Sequence, residues 1–223
     1  MTYKCTMVFP SLTVFGSQIG VPDREYHSSI TSFLRQDKNT APLLQAIDGL
    51  PQWWDEVSKS HKVLQKLPGH DLLDGLRQWL VGGAQFELQT PAPNVILGPL
   101  TVISHAVEYL SYLRSQPATH AEIWEVAGAK GFQGLCIGHL AAVACASARS
   151  EREFIEQAAV VLRLAVLIGA TVDLDGRYAE PAKKWTCIVA RRRIDASPNA
   201  VSEAMSDYPD VSTCDSDSPS ACV

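Results

Sequence analysis

The sequence predicts an α/β fold in which helices dominate, and three observations predict it. Two short β-rich runs, Thr6–Phe9 and Leu12–Phe15, open the chain and stop at the glycine-bounded loop Gly16-Ser17-Gln18-Ile19-Gly20. After that loop, segment after segment carries apolar residues at helical spacing. Beyond the midpoint, Gly134-Leu135-Cys136-Ile137-Gly138 holds a cysteine between two glycines, directly before an Ala-rich run. That is the pattern of a sharp strand-to-helix turn.

Each element can be justified in order. His27–Gln36 and Thr40–Leu50 have helical periodicity. Leu50–Leu67 reads as one helix, with Pro51 near its start and Gly69 after its end. His70–Gly83 repeats that logic and stops at Gly82-Gly83. Asn94–Ser115 is a helix whose Leu100, Ile103, Val107, Leu110 and Leu113 share one stripe. Ile137–Ala148 is rich in Ala and Leu, as a closely packed helix requires. Glu151–Asp175 is a long helix, apolar almost all round between Ala158 and Leu167, so burial in the core is expected, with Gly169 as its end. Trp185–Val189 is a strand candidate, and Ser197–Met205 a short helix with Ser197 as cap and Pro198 at its first position. From Asp207 the chain turns Ser-, Asp- and Pro-rich, which predicts a disordered tail over 207–223 after a domain spanning 1–206.

Composition narrows the function classes. The chain has 223 residues, 46% of them hydrophobic and 19% charged, with a net charge of −5, which describes a globular protein. Arg191-Arg192-Arg193, near Lys183-Lys184, is a short basic cluster that reads as a solvated face, so no nucleic-acid partner is expected. No run of roughly 18 consecutive apolar residues suggests a membrane span, and the N-terminus, broken by Pro10 and Gly16, lacks a secretory h-region. The six cysteines are scattered without CxxC spacing and read as reduced thiols in a cytoplasmic protein. The histidines do not cluster with them, so no metal site is expected.

The Gly-x-Cys-x-Gly turn carries the chemistry. A residue there is held at the tip of a strand, and its neighbours must be glycine because a Cβ would clash. The following helix contributes free N–H groups and a positive dipole end, which favour a thiolate and a developing oxyanion. Cys136 is therefore a candidate acyl-carrying nucleophile. The alternative reading of the same residues is a buried structural cysteine in an Ala-rich helix. As proton acceptors, His139 lies three residues after Cys136, and His105 sits on the preceding long helix.

Five segments in this order carry a resemblance. "VFGSQ" at Val14–Gln18 looks like an F-G-x-Q motif, and "LPQWWDEVSKSHKVLQKLPGHDLLDGLRQWLVGG" like the helical section that follows it. "ILGPLTVISHAVEYLSYL", "GLCIGHLAA" and "VVLRLAVLIGATVD" look like the helix before the nucleophile, the nucleophile motif and the helix after it. Together they resemble the starter-unit acyl-carrier-protein transacylase domain of fungal non-reducing polyketide synthases. The resemblance implies the malonyl-CoA:ACP transacylase-like fold: a large α/β subdomain, with residues from about 181 to 206 starting an incomplete ferredoxin-like small subdomain. It implies that Cys136 takes an acyl group from an acyl-CoA or a fatty acid synthase and passes it to the phosphopantetheine thiol of an acyl carrier protein. No cofactor of its own is implied. The backbone N–H groups of Gln18 and Ile137 would form the oxyanion hole. Arg163, where malonyl-selective relatives pair a carboxylate, reads as structural. The family's general base is a histidine far downstream of the nucleophile, yet only His139 follows Cys136 here. A C-terminally truncated, impaired homologue that acts as an interaction module with a carrier protein or synthase is thus one alternative. A cysteine-type α/β-hydrolase is another; it would need a downstream Asp, such as Asp173 or Asp175, and a His.

Overall fold

The computed structural model describes residues 13–16, 24–83, 92–127 and 131–178. The chain divides after Tyr178 into two units, and the described residues all belong to the first. The run at Thr6–Phe9, Gln18, the strand and short helix after 178, the partial small subdomain and the tail lie outside the described residues.

Within the described residues, helices α1 (Arg24–Gln36), α2 (Ala41–Asp48), α3 (Leu50–Ser60), α4 (Gly69–Arg77), α5 (Asn94–Ser115), α6 (His120–Ala127), α7 (Gly138–Ser147) and α8 (Glu151–Tyr178) surround a two-stranded sheet. Strand β1 (Thr13–Phe15) runs parallel to β2 (Phe132–Gly134), with Thr13 opposite Phe132 and Phe15 opposite Gly134. A parallel pair needs a long crossover, and α1 to α6 supply it. The result is a mostly helical α/β fold.

The core is built on α5 lying against α8. The predicted stripe of α5 is buried at all five positions. Burial goes further round this helix than the stripe required, taking in Thr101, Ser104 and His105 as well. The expectations for α8 need two corrections. Gly169 does not end the helix, which continues to Tyr178. Instead it lets α5 approach: a Cβ there would lie 2.1 Å from the Asn94 carbonyl oxygen. Nor is α8 buried all round. Phe154, Leu162, Ala165, Val166 and Ala170 face inward, whereas Val160, Leu164, Ile168 and Val172, four residues apart, form an exposed stripe. Among the described residues α8 is the helix long and apolar enough to cross a membrane, and its inner face is spent on α5.

The segment Leu50–Leu67 is also two elements rather than one helix. α3 stops at Ser60, and Lys62–Lys66 forms a 3₁₀ turn. The break lets α4 fold back on α3. Gly69 opens α4 rather than closing α3, because a Cβ at that position would stand 2.1 Å from the Trp54 ring. The stop at Gly82-Gly83 holds, with Gly83 in the left-handed conformation (φ 75°) that a helix C-terminus favours.

Candidate active site

β2 ends at Gly134, and α7 starts at Gly138, so Leu135, Cys136 and Ile137 make the whole turn between strand and helix. The turn is closed by short backbone bonds. The N–H groups of Gly138, His139 and Leu140 donate to the carbonyls of Leu135, Cys136 and Ile137 at 3.0, 3.0 and 3.1 Å. It is anchored to β1 because Leu135 N–H donates to the Phe15 carbonyl at 3.0 Å. Cys136 has φ 55°, the left-handed region that costs a non-glycine residue roughly 1 kcal/mol or more.

The two glycines are explained by distance. A Cβ on Gly134 would sit 2.3 Å from the Gly138 carbonyl oxygen, and one on Gly138 would sit 2.0 Å from the Gly16 carbonyl oxygen. Backbone atoms cannot yield that space, so glycine is required on both sides of the cysteine. The packing pushes the Cys136 thiol outward: it is exposed, while Ile137 is buried. The N-terminus of α7 stands next to it, where the helix dipole favours negative charge. Cys145, one turn from the end of α7, contrasts with it. Cys145 is fully buried, and burial pushes its thiol well above the ordinary range, which makes it inert.

No hydrogen bond joins the Cys136 thiol to any described residue. His139 is on the first turn of α7 with its side chain exposed, and it is not bonded to the thiol. His105 is on α5, 4% exposed, packed on the Phe15 ring at 5.7 Å, with its pKa lowered by burial. It too makes no bond to Cys136. Arg163 is exposed on α8 and makes no ion pair among the described residues.

Asp173 is the residue whose role the sequence did not disclose. Its carboxylate accepts from the backbone N–H and the side-chain amide of Asn94, each at 2.9 Å, and from Val95 N–H at 2.8 Å. It caps the N-terminus of α5 from a distant helix, where anionic charge is favoured. It is therefore not free to orient a histidine, and the hydrolase alternative loses its acid at this position. His120 is similarly committed. Its Nδ1 pairs with the Tyr109 hydroxyl at 2.8 Å and its Nε2 with the Ala148 carbonyl at 3.2 Å. The carbonyl can only accept, so Nε2 carries the proton and Nδ1 accepts from the tyrosine. Sequence reasoning passed over Glu108 and Tyr112, which stand at helical spacing with His105 on α5. With Thr13–Gly16 they line a cleft of about 300 Å³. Tyr26 donates to Glu108 from α1, and burial together with that carboxylate pushes its phenol up to about 12.

The family described as starter unit:ACP transacylase in aflatoxin biosynthesis matches residues 20–213. This chain belongs to the starter unit:ACP transacylase family. Its relatives include 5-methylorsellinic acid synthase of Aspergillus terreus, 38% identical over 190 residues covering 83% of this chain. The non-reducing polyketide synthase spyA of Aspergillus fumigatus is 33% identical over 91% of the chain. Methylphloroacetophenone synthase of Cladonia uncialis is 32% identical over 92%. The matched part is 7% to 11% of the length of these synthases, so the transacylase-family chain spans about a tenth of each.

Proposed function

We propose that this chain loads a starter acyl group in polyketide biosynthesis, through a thioester on Cys136. The observation that carries the reading is the exposed cysteine at φ 55°, held on a strand-to-helix turn between two glycines that backbone crowding requires. The Cys136 thiolate attacks the carbonyl carbon of an acyl-CoA or carrier-bound thioester. A C–S bond forms, and the tetrahedral oxyanion collapses as the donor thiolate leaves and takes up a proton. The acyl group then passes to the phosphopantetheine thiol of an acyl carrier protein by the reverse sequence, which returns the free cysteine. The Ile137 backbone N–H, together with that of Gln18, is assigned to the oxyanion. No resident cofactor takes part, and the cytoplasm, where acyl-CoA is made, is the proposed location. A cysteine suits a site without a bonded base, because it is the side-chain nucleophile that depends least on one.

Intact-mass measurement after incubation with short and medium acyl-CoAs tests this reading. One acyl adduct on the wild type and none on Cys136→Ala is the expected result. An adduct that persists in Cys136→Ala would refute it. A second reading is favoured by the absence of a histidine bonded to the thiol among the described residues: the chain binds a carrier protein or synthase without turnover. Carrier-protein binding in a titration, with no acyl transfer by the loaded protein, would select that reading.

A further inference from the structure

We propose that His120 and Trp124 form a clamp that positions the Cys136 turn, acting through α7. The inference rests on the reading of Cys136 as the acyl-carrying residue and adds two positioning residues to that site. A helix leaves its last carbonyls without partners inside the helix. α7 ends at Ser147 with Ala148 as its C-cap, and two side chains of α6 reach the carbonyls there. His120 Nε2–H donates to the Ala148 carbonyl at 3.2 Å, and Trp124 Nε1–H donates to the Ala146 carbonyl at 3.1 Å. The two donors stand four residues apart, so they share one face of α6.

The chain between these contacts is the site itself. From α6 it runs through β2 and the Cys136 turn into α7, and the two bonds close it into a loop with the thiol between the anchor points. Backbone crowding among Gly134, Gly138 and Gly16 fixes the near end of α7. The clamp fixes the far end. A helix of ten residues is about 15 Å long, so a tilt of about 4° about one end moves the other by about 1 Å. A misplacement of that size at a reacting group can cost about 100-fold in rate. The clamp is itself held still. His120 is 1% exposed, and its Nδ1 accepts from the Tyr109 hydroxyl of α5 at 2.8 Å. Its ring lies 5.9 Å from that of Phe154 on α8 and 6.4 Å from that of Phe132 on β2, stacked on both. The Arg149 guanidinium covers the Trp124 ring at 3.6 Å. Both ring nitrogens of His120 are engaged, so it does not serve Cys136 as a base; its part is to orient.

The test follows Cys136 in the full 223-residue chain by peptide mass, after exposure to acyl-CoA and, separately, to iodoacetamide. A glutamine amide reaches about as far from the backbone as the histidine Nε2 and can keep the bond to Ala148; an asparagine amide reaches only as far as Nδ1. The expected result is acylation within about twofold of wild type in His120→Gln and at least tenfold slower in His120→Asn. Trp124→Phe, which keeps a ring under Arg149 and loses the Nε1 donor, should be slowed about threefold or more. Iodoacetamide needs no oriented site, so it should label Cys136 at the wild-type rate in all three. Exchange of the Gly138, His139 and Leu140 N–H groups, which close the turn, should quicken in His120→Asn and not in His120→Gln. Asp173→Ala, which weakens the fold at the α5 N-terminus instead, should leave acylation and this exchange unchanged. Wild-type acylation and exchange in a folded His120→Asn, or equal slowing in Asp173→Ala, would overturn the proposal. If His120→Asn does not fold, Trp124→Phe at wild-type rates would overturn it. A wild-type chain that takes no acyl group refutes the reading of Cys136 alone, and the exchange rates then decide the clamp.

Discussion

The two edges of β1 differ in how much room they leave. On the β2 side the backbone is so crowded that Gly134 and Gly138 have no space for a Cβ, and Cys136 is driven into a left-handed conformation. On the far side Val14 is exposed and the strand borders an open cleft. Even Gly16, whose carbonyl blocks Gly138, would itself meet nothing within 4 Å of an added Cβ. Among the described residues, one edge is therefore a rigid mount for an exposed thiol, and the other borders open space. Tightness on one side of a three-residue strand implies nothing about the other side.

Substitutions can break this contrast, and the largest effect is expected at the crowded edge. Gly138→Ala puts a methyl group 2.0 Å from a backbone oxygen. It should cost about 3 kcal/mol or more, or prevent folding, as read by urea unfolding; a loss under about 1 kcal/mol would show that the turn relaxes easily.

The next effect is on pH. His120, 1% exposed, and His105 have pKa values lowered by burial, so the unfolded chain takes up their protons first. Their contribution to stability is complete above the unfolded value of about 6.5 and is lost as pH falls below it. Each group removes at most about 1.4 kcal/mol per pH unit in that window. The urea midpoint should therefore drop between pH 7.5 and 5.5, and less steeply in His105→Phe.

Asp173→Ala removes three accepted hydrogen bonds at the α5 N-terminus and should cost about 1–2 kcal/mol. Asp173→Asn, which keeps an acceptor oxygen, should cost less. The smallest effect sharpens the contrast: Gly16→Ala meets open space and should stay within about 0.5 kcal/mol of wild type by the same unfolding assay.

Several features were legible in the sequence because they depend on neighbours along the chain. The bounds of α5, its apolar stripe and the helix stop at Gly83 follow from local periodicity and local backbone freedom. The cysteine turn was legible as a motif for a similar reason: its crowding is partly between residues four apart, Gly134 and Gly138. Other features depend on residues distant in sequence. Gly169 reads as a helix end, yet it is a contact point for Asn94. Gly69 reads as a stop, yet it makes room for Trp54. Asp173 resembles a free acid and turns out to be a cap. The exposed stripe on α8 was hidden because apolar residues on every side of a helix do not reveal which side meets a partner.

By itself the sequence determined the family, the helical periods, and the cysteine with its two glycines, because all of these are written in residue type and spacing. The tertiary structure alone decided that Gly138 must be glycine against the Gly16 carbonyl, that neither His139 nor His105 bonds the thiol, and that β1 borders a cleft against α5. Those outcomes turn on distances of 2 to 6 Å between segments far apart along the chain, and such distances exist only after α5, α7 and the two strands have packed together.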